Sequence, residues 1–160
     1  EIYINPIKPE DEKKWIELLD RCSYEAKTDH YKHFFNWHTH EIACRYCYVD
    51  YENELSVVAA VQENEERRFV AFARMVNYQK LDTLEFDVLV SDEWQDKGLG
   101  LILTDYALDI AHRWELKNII TSVSPSNQKM INVLQKRDFE LKHNPGDEFI
   151  HGYKTIIDLG

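Results

Sequence analysis

One stretch of this chain, Leu84 to Leu103, changes its hydrophobic period in mid-course, and that change restricts the fold to one in which a strand runs directly into a helix. Glu85, Asp87 and Leu89 share one side of a period-two strand, while Phe86, Val88 and Val90 share the other, so one side carries two carboxylates. Ser91 and Asp92 are turn formers. In the following Gln95-Asp96-Lys97-Gly98-Leu99-Gly100, two glycines let main-chain N–H groups approach a ligand with no Cβ in the way. From Leu99 onward, Leu99, Ile102, Leu103, Tyr106, Ala107, Ile110, Ala111 and Trp114 recur at helical spacing, so a long amphipathic helix begins at the glycines. Its N-terminus offers unpaired donors and a partial positive charge, which suits an anion.

Two familiar phosphate motifs do not fit. No Lys-Ser or Lys-Thr follows the second glycine as a Walker loop requires, and the third glycine of a dinucleotide fingerprint is missing.

The rest of the chain reads as alternating elements. Ile2-Tyr3-Ile4 is a short strand broken by Asn5-Pro6-Ile7-Lys8-Pro9, and Pro9-Glu10-Asp11-Glu12 opens a helix whose apolar side is Trp15, Ile16, Leu18, Leu19 and Cys22. Residues 24–50 are aromatic-rich and mostly helical, with Tyr31, Phe34, Phe35 and Trp37 in one packing cluster and Ile42, Ala43, Tyr46 and Cys47 in another. Leu55 to Val61 and Phe69 to Val76 are strands joined by a charged hairpin connection over 62–67, and with the strand at 84–90 they form an antiparallel meander. Asn118 to Val123 is a strand parallel to its neighbour across the helix. Ser124-Pro125 is expected to open the next helix, with Ser124 as N-cap, and its apolar side is Met130, Ile131, Val133 and Leu134. Phe139-Glu140-Leu141 and Phe149 to Ile157 close the sheet.

The 160 residues are read as a single domain spanning 1–160, and 44% hydrophobic content excludes a disordered chain. A net charge of −10 argues against a nucleic-acid backbone as the ligand and favours an amine-bearing partner. No apolar run approaches the ~20 residues that cross a bilayer, no signal segment opens the chain, and three cysteines fit reduced thiols, so a cytoplasmic location is expected. A start at Glu1 is read as a trimmed product or a fragment.

Strand, Gln-x-x-Gly-x-Gly loop and long helix together resemble the pyrophosphate-binding motif of the GNAT superfamily of acyl-CoA-dependent N-acyltransferases, and the element order extends the likeness across the chain. Within that superfamily the chain looks most like the acyltransferase domain of Pat-type bacterial protein lysine acetyltransferases. The stretches that carry this are residues 6–12, Tyr31-Lys32-His33-Phe34-Phe35, Val49-Asp50-Tyr51, residues 85–100, and Asn127-Gln128-Lys129-Met130 followed by Phe139. The resemblance implies an α/β (α+β) GNAT fold, a mixed and mostly antiparallel sheet of about seven strands flanked by about four helices. It implies acetyl-CoA as cosubstrate, its pyrophosphate held by main-chain N–H groups of Gln95, Asp96, Lys97, Gly98, Leu99, Gly100 and Leu101. Main-chain groups of Leu89 and Val90 would meet the pantetheine arm, and Asn127 would touch the cofactor. Two positions depart from the pattern. Leu134 stands where many relatives have a Tyr that serves the departing thiolate, and Asp138 stands where the family has the glycine that ends the helix. Asp tolerates the left-handed conformation, so the cap is expected to survive.

Acyl transfer to a lysine needs a neutral amine, whereas a free lysine, with a pKa of ~10.4, is protonated at neutral pH. A buried carboxylate is the expected base. Glu85 is the first choice, at the position where Pat-like sequences place their catalytic glutamate, and Asp87 is the runner-up. The structural alternative for Glu85 is a cross-strand pair with Arg74. The Pat resemblance implies a protein lysine as the acceptor, for example on an acyl-CoA synthetase, with a small amine or a CoA-binding module without activity as the alternatives. No nucleic acid, membrane or metal is expected. His38, His40, Cys44 and Cys47 invite a zinc reading, but their spacing is unusual, and Cys44 to Cys47 is also the i, i+3 pattern of one helix face.

Overall fold

The computed structural model describes residues 1–31 and 37–156, without the side chains of residues 28–31. Seven strands form one sheet in the order β1-β2-β3-β4-β5-β7-β6. They are β1 (Ile2–Pro6), β2 (Glu54–Glu63), β3 (Glu66–Tyr78), β4 (Thr83–Val90), β5 (Asn118–Val123), β6 (Glu140–Lys142) and β7 (Ile150–Thr155). Five helices flank it: α1 (Glu12–Asp20), α2 (Tyr24–Tyr31), α3 (His40–Cys47), α4 (Leu99–Arg113) and α5 (Gln128–Lys136). The mixed, mostly antiparallel sheet agrees with expectation, and β4–β5 is its parallel pair. One more helix than expected arises because the aromatic-rich segment holds both α2 and α3. Of the expected cluster of Tyr31, Phe34, Phe35 and Trp37, the side chain of Tyr31 and residues 34 and 35 lie outside the described part of the structure, as does the end of the last strand at Ile157.

Burial explains the layering. β2 buries an unbroken run, Ser56 to Val61, because helices cover both of its faces. Val57, Ala59 and Val61 pack with Leu99, Leu103, Ala107 and Ala111 of α4 and with Ile131 and Leu134 of α5. Val58 and Ala60 pack with Trp15, Leu18 and Leu19 of α1 and with Ala43 and Cys47 of α3. Cys22 joins that second core, as its spacing suggested.

Element ends differ from the sequence reading for local reasons. The stretch 5–9 does end β1, but only after Asn5 and Pro6 have joined it, Pro6 being tolerated as the last residue because β1 is an edge strand that needs no N–H there. The charged connection shrinks to Asn64 and Glu65, whose φ values of 49° and 68° make a two-residue turn that lets β2 and β3 extend to Glu63 and Glu66. Ser124 is not the cap of α5. Asn127 N–H donates to the Ser124 carbonyl in a tight turn, and the Asn127 side chain then accepts from Met130 N–H at 3.1 Å, so the helix begins at Gln128.

Asp138 does adopt the left-handed conformation, with φ 60°. Phe139 N–H reaches the Leu134 carbonyl at 3.0 Å and Asp138 N–H the Gln135 carbonyl at 3.1 Å, a Schellman ending built without glycine. The Cβ at that φ costs stability that glycine would not. Asp138→Gly is therefore expected to raise unfolding stability by about 0.5–1 kcal/mol in urea titration, and Asp138→Val to lower it.

Candidate active site

β4 and β5 are hydrogen-bonded neighbours only from Thr83–Asn118 to Glu85–Ile120, after which they part. β5 goes on pairing with β7 as far as Val123, and β4 with β3 as far as Val90, so the sheet opens as a fork whose two prongs are each held from the outside. At the apex the Thr121 hydroxyl donates to the Phe86 carbonyl at 2.7 Å, replacing the first missing rung. At the open end the Gln95 side-chain amide donates to the Val90 carbonyl at 3.3 Å. Strand alternation follows: the main-chain groups of Phe86, Val88 and Val90 point into the fork, while those of Leu89 face Phe72 across β3. Of Leu89 and Val90, the two residues expected beside the pantetheine arm, Val90 has its main chain aimed into the fork, as has Val88, while Leu89 lines the cleft with its main chain turned to β3.

The fork opens onto the N-terminus of α4. Asp96 at φ 62° and Gly98 at φ 84° turn the chain back on itself so that Gly98 becomes the N-cap. No described side chain caps this end, in contrast to α3 and α5, capped by Thr39 and Asn127, and the first turn of α4 holds no acid. The first-turn amides are thus left to a ligand or solvent. Gly100 is not demanded by packing: a Cβ there would sit 3.9 Å from both Met130 Sδ and Val133 Cγ2, an ordinary contact. Gly98 differs, because its positive φ favours glycine regardless of space.

A cleft of about 650 Å³ joins these parts. Val88, Leu89 and Val90 form one wall, with Gln95, Asp96, Gly98, Leu99, Gly100 and Leu101 at its head. Ser124, Ser126, Asn127, Met130 and Val133 form the facing wall, and Ser23 and Ala26 close it from the start of α2. Every residue expected at the cofactor lines this cleft except Lys97, whose ammonium lies over the Trp94 ring at 4.6 Å. Lys129, which sequence reasoning had only as part of a motif, lies 2.9 Å from Asp96 Oδ2 and 3.2 Å from Gln95 Oε1, offsetting an acid that would otherwise repel an anion. Arg137 grips Asp105 of α4 through both oxygens, at 2.6 and 2.9 Å, and fixes α5 against α4.

Glu85 and Asp87 lie on the other face of β4, half-buried, beside the core formed with α1 and α3. Glu85 forms the last ladder pair before the strands part, so it stands level with the apex. The pairing of Glu85 with Arg74 does not occur. Val76 is opposite Glu85, and Arg74, opposite Asp87, is held by Glu54 at 2.7 and 3.3 Å. Tyr46, read from sequence as packing, stacks on Trp15 with ring centres 5.3 Å apart. Burial pushes its phenol up; the Arg74 and Arg45 charges oppose this and the Asp87 carboxylate adds to it, which places the hydroxyl in the field of Asp87 and Arg74. Leu134, at the position of the missing Tyr, is fully buried in the core. Nothing in the local sequence distinguishes Thr121 or Lys129 from ordinary surface or strand residues, and only their positions across the cleft give them roles.

No helix among the described residues is long and apolar enough to cross a membrane. The fold is shared with solved acetyltransferases. The GNAT domain of S. lividans PAT superposes with a TM-score of 0.82 at 19% identity, over 95% of this chain and 89% of that one. PaiA N-acetyltransferase from Thermoplasma acidophilum, solved in complex with coenzyme A, superposes with a TM-score of 0.72 at 16% identity, over 97% of this chain and 99% of that one. In sequence, a curated acetyltransferase of Pseudomonas aeruginosa is 22% identical over 146 residues, 91% of this chain and 78% of its own length. The model of the Acetyltransferase (GNAT) family matches residues 13–139, which run from the first helix through the forked strands and the glycine loop to Phe139. The chain is therefore a member of the GNAT acetyltransferase family.

Proposed function

We propose that this chain moves an acetyl group from acetyl-CoA to a primary amine, that the amine is a protein lysine side chain, as on an acyl-CoA synthetase, and that Glu85 is the base. The observation that carries this reading is that one cleft joins an uncapped helix N-terminus to a parted strand pair, with a carboxylate level with the apex on the opposite face of β4. The Pat-like stretches of sequence and the net charge of −10 favour a cationic protein acceptor over a neutral one.

The residues present suit the cosubstrate. The amides of Gly98, Leu99, Gly100 and Leu101 would hold the diphosphate, with Gly100 leaving room where a side chain would stand, and Lys129 and Lys136 would add positive charge from α5. Val88 and Val90 would pair with the pantetheine amides, and Asn127 would border the chain from the facing wall. Acetyl-CoA supplies a thioester carbonyl open to attack. The acceptor approaches from the face of β4 that carries Glu85 and Asp87, and Glu85 takes the ammonium proton, directly or through one water. Main-chain N–H groups in the fork steady the developing oxyanion. Water protonates the thiolate, because Leu134 offers no donor.

Calorimetry with coenzyme A, followed by transfer of labelled acetyl groups to lysate proteins and mapping of the modified lysines, tests this. Label found only on small amines moves the acceptor to that class, and uptake of coenzyme A without product leaves a binding module. At saturating acetyl-CoA, Glu85→Gln is expected to lower kcat about a hundredfold or more with the CoA affinity unchanged, and Asp87→Asn to lower it less. Full turnover of the Glu85 variant across the pH range would refute its role. Gly100→Ala is expected to keep or slightly raise the unfolding midpoint while weakening coenzyme A about tenfold or more, since the new methyl suits the protein's packing but crowds the ligand.

A further inference from the structure

We infer that Glu12, His40 and Cys44 form a binding site for a divalent cation of the zinc class, which ties α1 to α3. The fold sorts the histidines and cysteines of residues 38–47 in a way their spacing does not reveal. His38 Nε2 is committed to Asp20 at 2.6 Å, and Cys47 is sunk in the core at 1% exposure. His40 and Cys44 remain, four residues apart on one face of α3, and Glu12, distant in sequence, meets them from the first turn of α1.

Their donor atoms lie within 4.8 Å of one another. His40 Nδ1 is 2.8 Å from Glu12 Oε1 and 3.7 Å from Cys44 Sγ. Around a tetrahedral zinc with bonds of about 2.0–2.3 Å, the donor-to-donor edges are about 3.3–3.6 Å. The nitrogen–sulfur edge is nearly met, and the nitrogen–oxygen edge opens as the cation takes the place of the shared proton. Imidazole, thiolate and carboxylate together suit zinc rather than magnesium or calcium, and water completes the fourth position because His40 is open to solvent.

The tie bears on the acceptor side of the molecule. Tyr46, two residues beyond Cys44, stacks on Trp15 of α1 and stands near Asp87, so joining the two helices fixes that wall. Zinc binding does not depend on acetyl transfer, and the site stands or falls separately from the function proposed above.

The whole protein, stripped with a chelator and kept reduced by a phosphine, is titrated with zinc chloride in a calorimeter and with cobalt chloride in a spectrophotometer. One equivalent of zinc, a thiolate-to-cobalt charge-transfer band and a higher unfolding midpoint are expected. Glu12→Gln, His40→Ala and Cys44→Ser should each weaken zinc about tenfold or more, and His38→Ala should not. Zinc should also shield Cys44 from iodoacetamide in the unmutated protein, read by peptide mass spectrometry, which needs no variant to fold. No stoichiometric uptake, affinity that survives Cys44→Ser and His40→Ala, equal weakening by His38→Ala, or a Cys44 that alkylates as fast with zinc as without would each overturn the site.

Discussion

The parting of β4 from β5 is the constraint on which the rest of this structure depends. A parallel ladder that continued past Glu85 and Ile120 would satisfy every main-chain group between the strands and leave no opening. Each strand instead keeps a full partner on its outer side, β3 for one and β7 for the other, so only the inner edges lose hydrogen bonds. Thr121 and Gln95 recover one carbonyl at each end, and the groups between them stay off the ladder.

With a net charge of −10, the chain as a whole would not attract a diphosphate, so attraction at this cleft would have to be local. The groups placed to supply it are the fixed dipoles at the start of α4 and Lys129, which faces Asp96 across the cleft. β4 thus carries its unladdered main-chain groups along the edge that lines the fork, and two carboxylates, Glu85 and Asp87, on one face.

Much of this was legible in the sequence because it rests on local periodicity. The change from period two to period 3.6 at residues 84–103 placed β4, the loop and α4, and the glycines placed the turn that joins them. Asp138 was read as a left-handed cap from its own chemistry, and the backbone agrees. Where sequence reasoning failed, two local options competed. Ser124-Pro125 and Asn127 are both good helix starts, and the turn that joins β5 to α5 needed Ser124 for itself. Arg74 could have paired with Glu85, but the register set it opposite Asp87 and within reach of Glu54.

By itself the sequence determined the faces of the main strands and helices and the order of the elements, since alternation and helical spacing are properties of neighbouring residues. Only the tertiary structure decided which distant side chains meet: Lys129 with Asp96, Thr121 with Phe86, Tyr46 with Trp15, and Glu12 with His40 and Cys44. The physical reason is that such meetings depend on strand register and helix placement, which are set by burying two apolar cores at once. No single segment contains that balance.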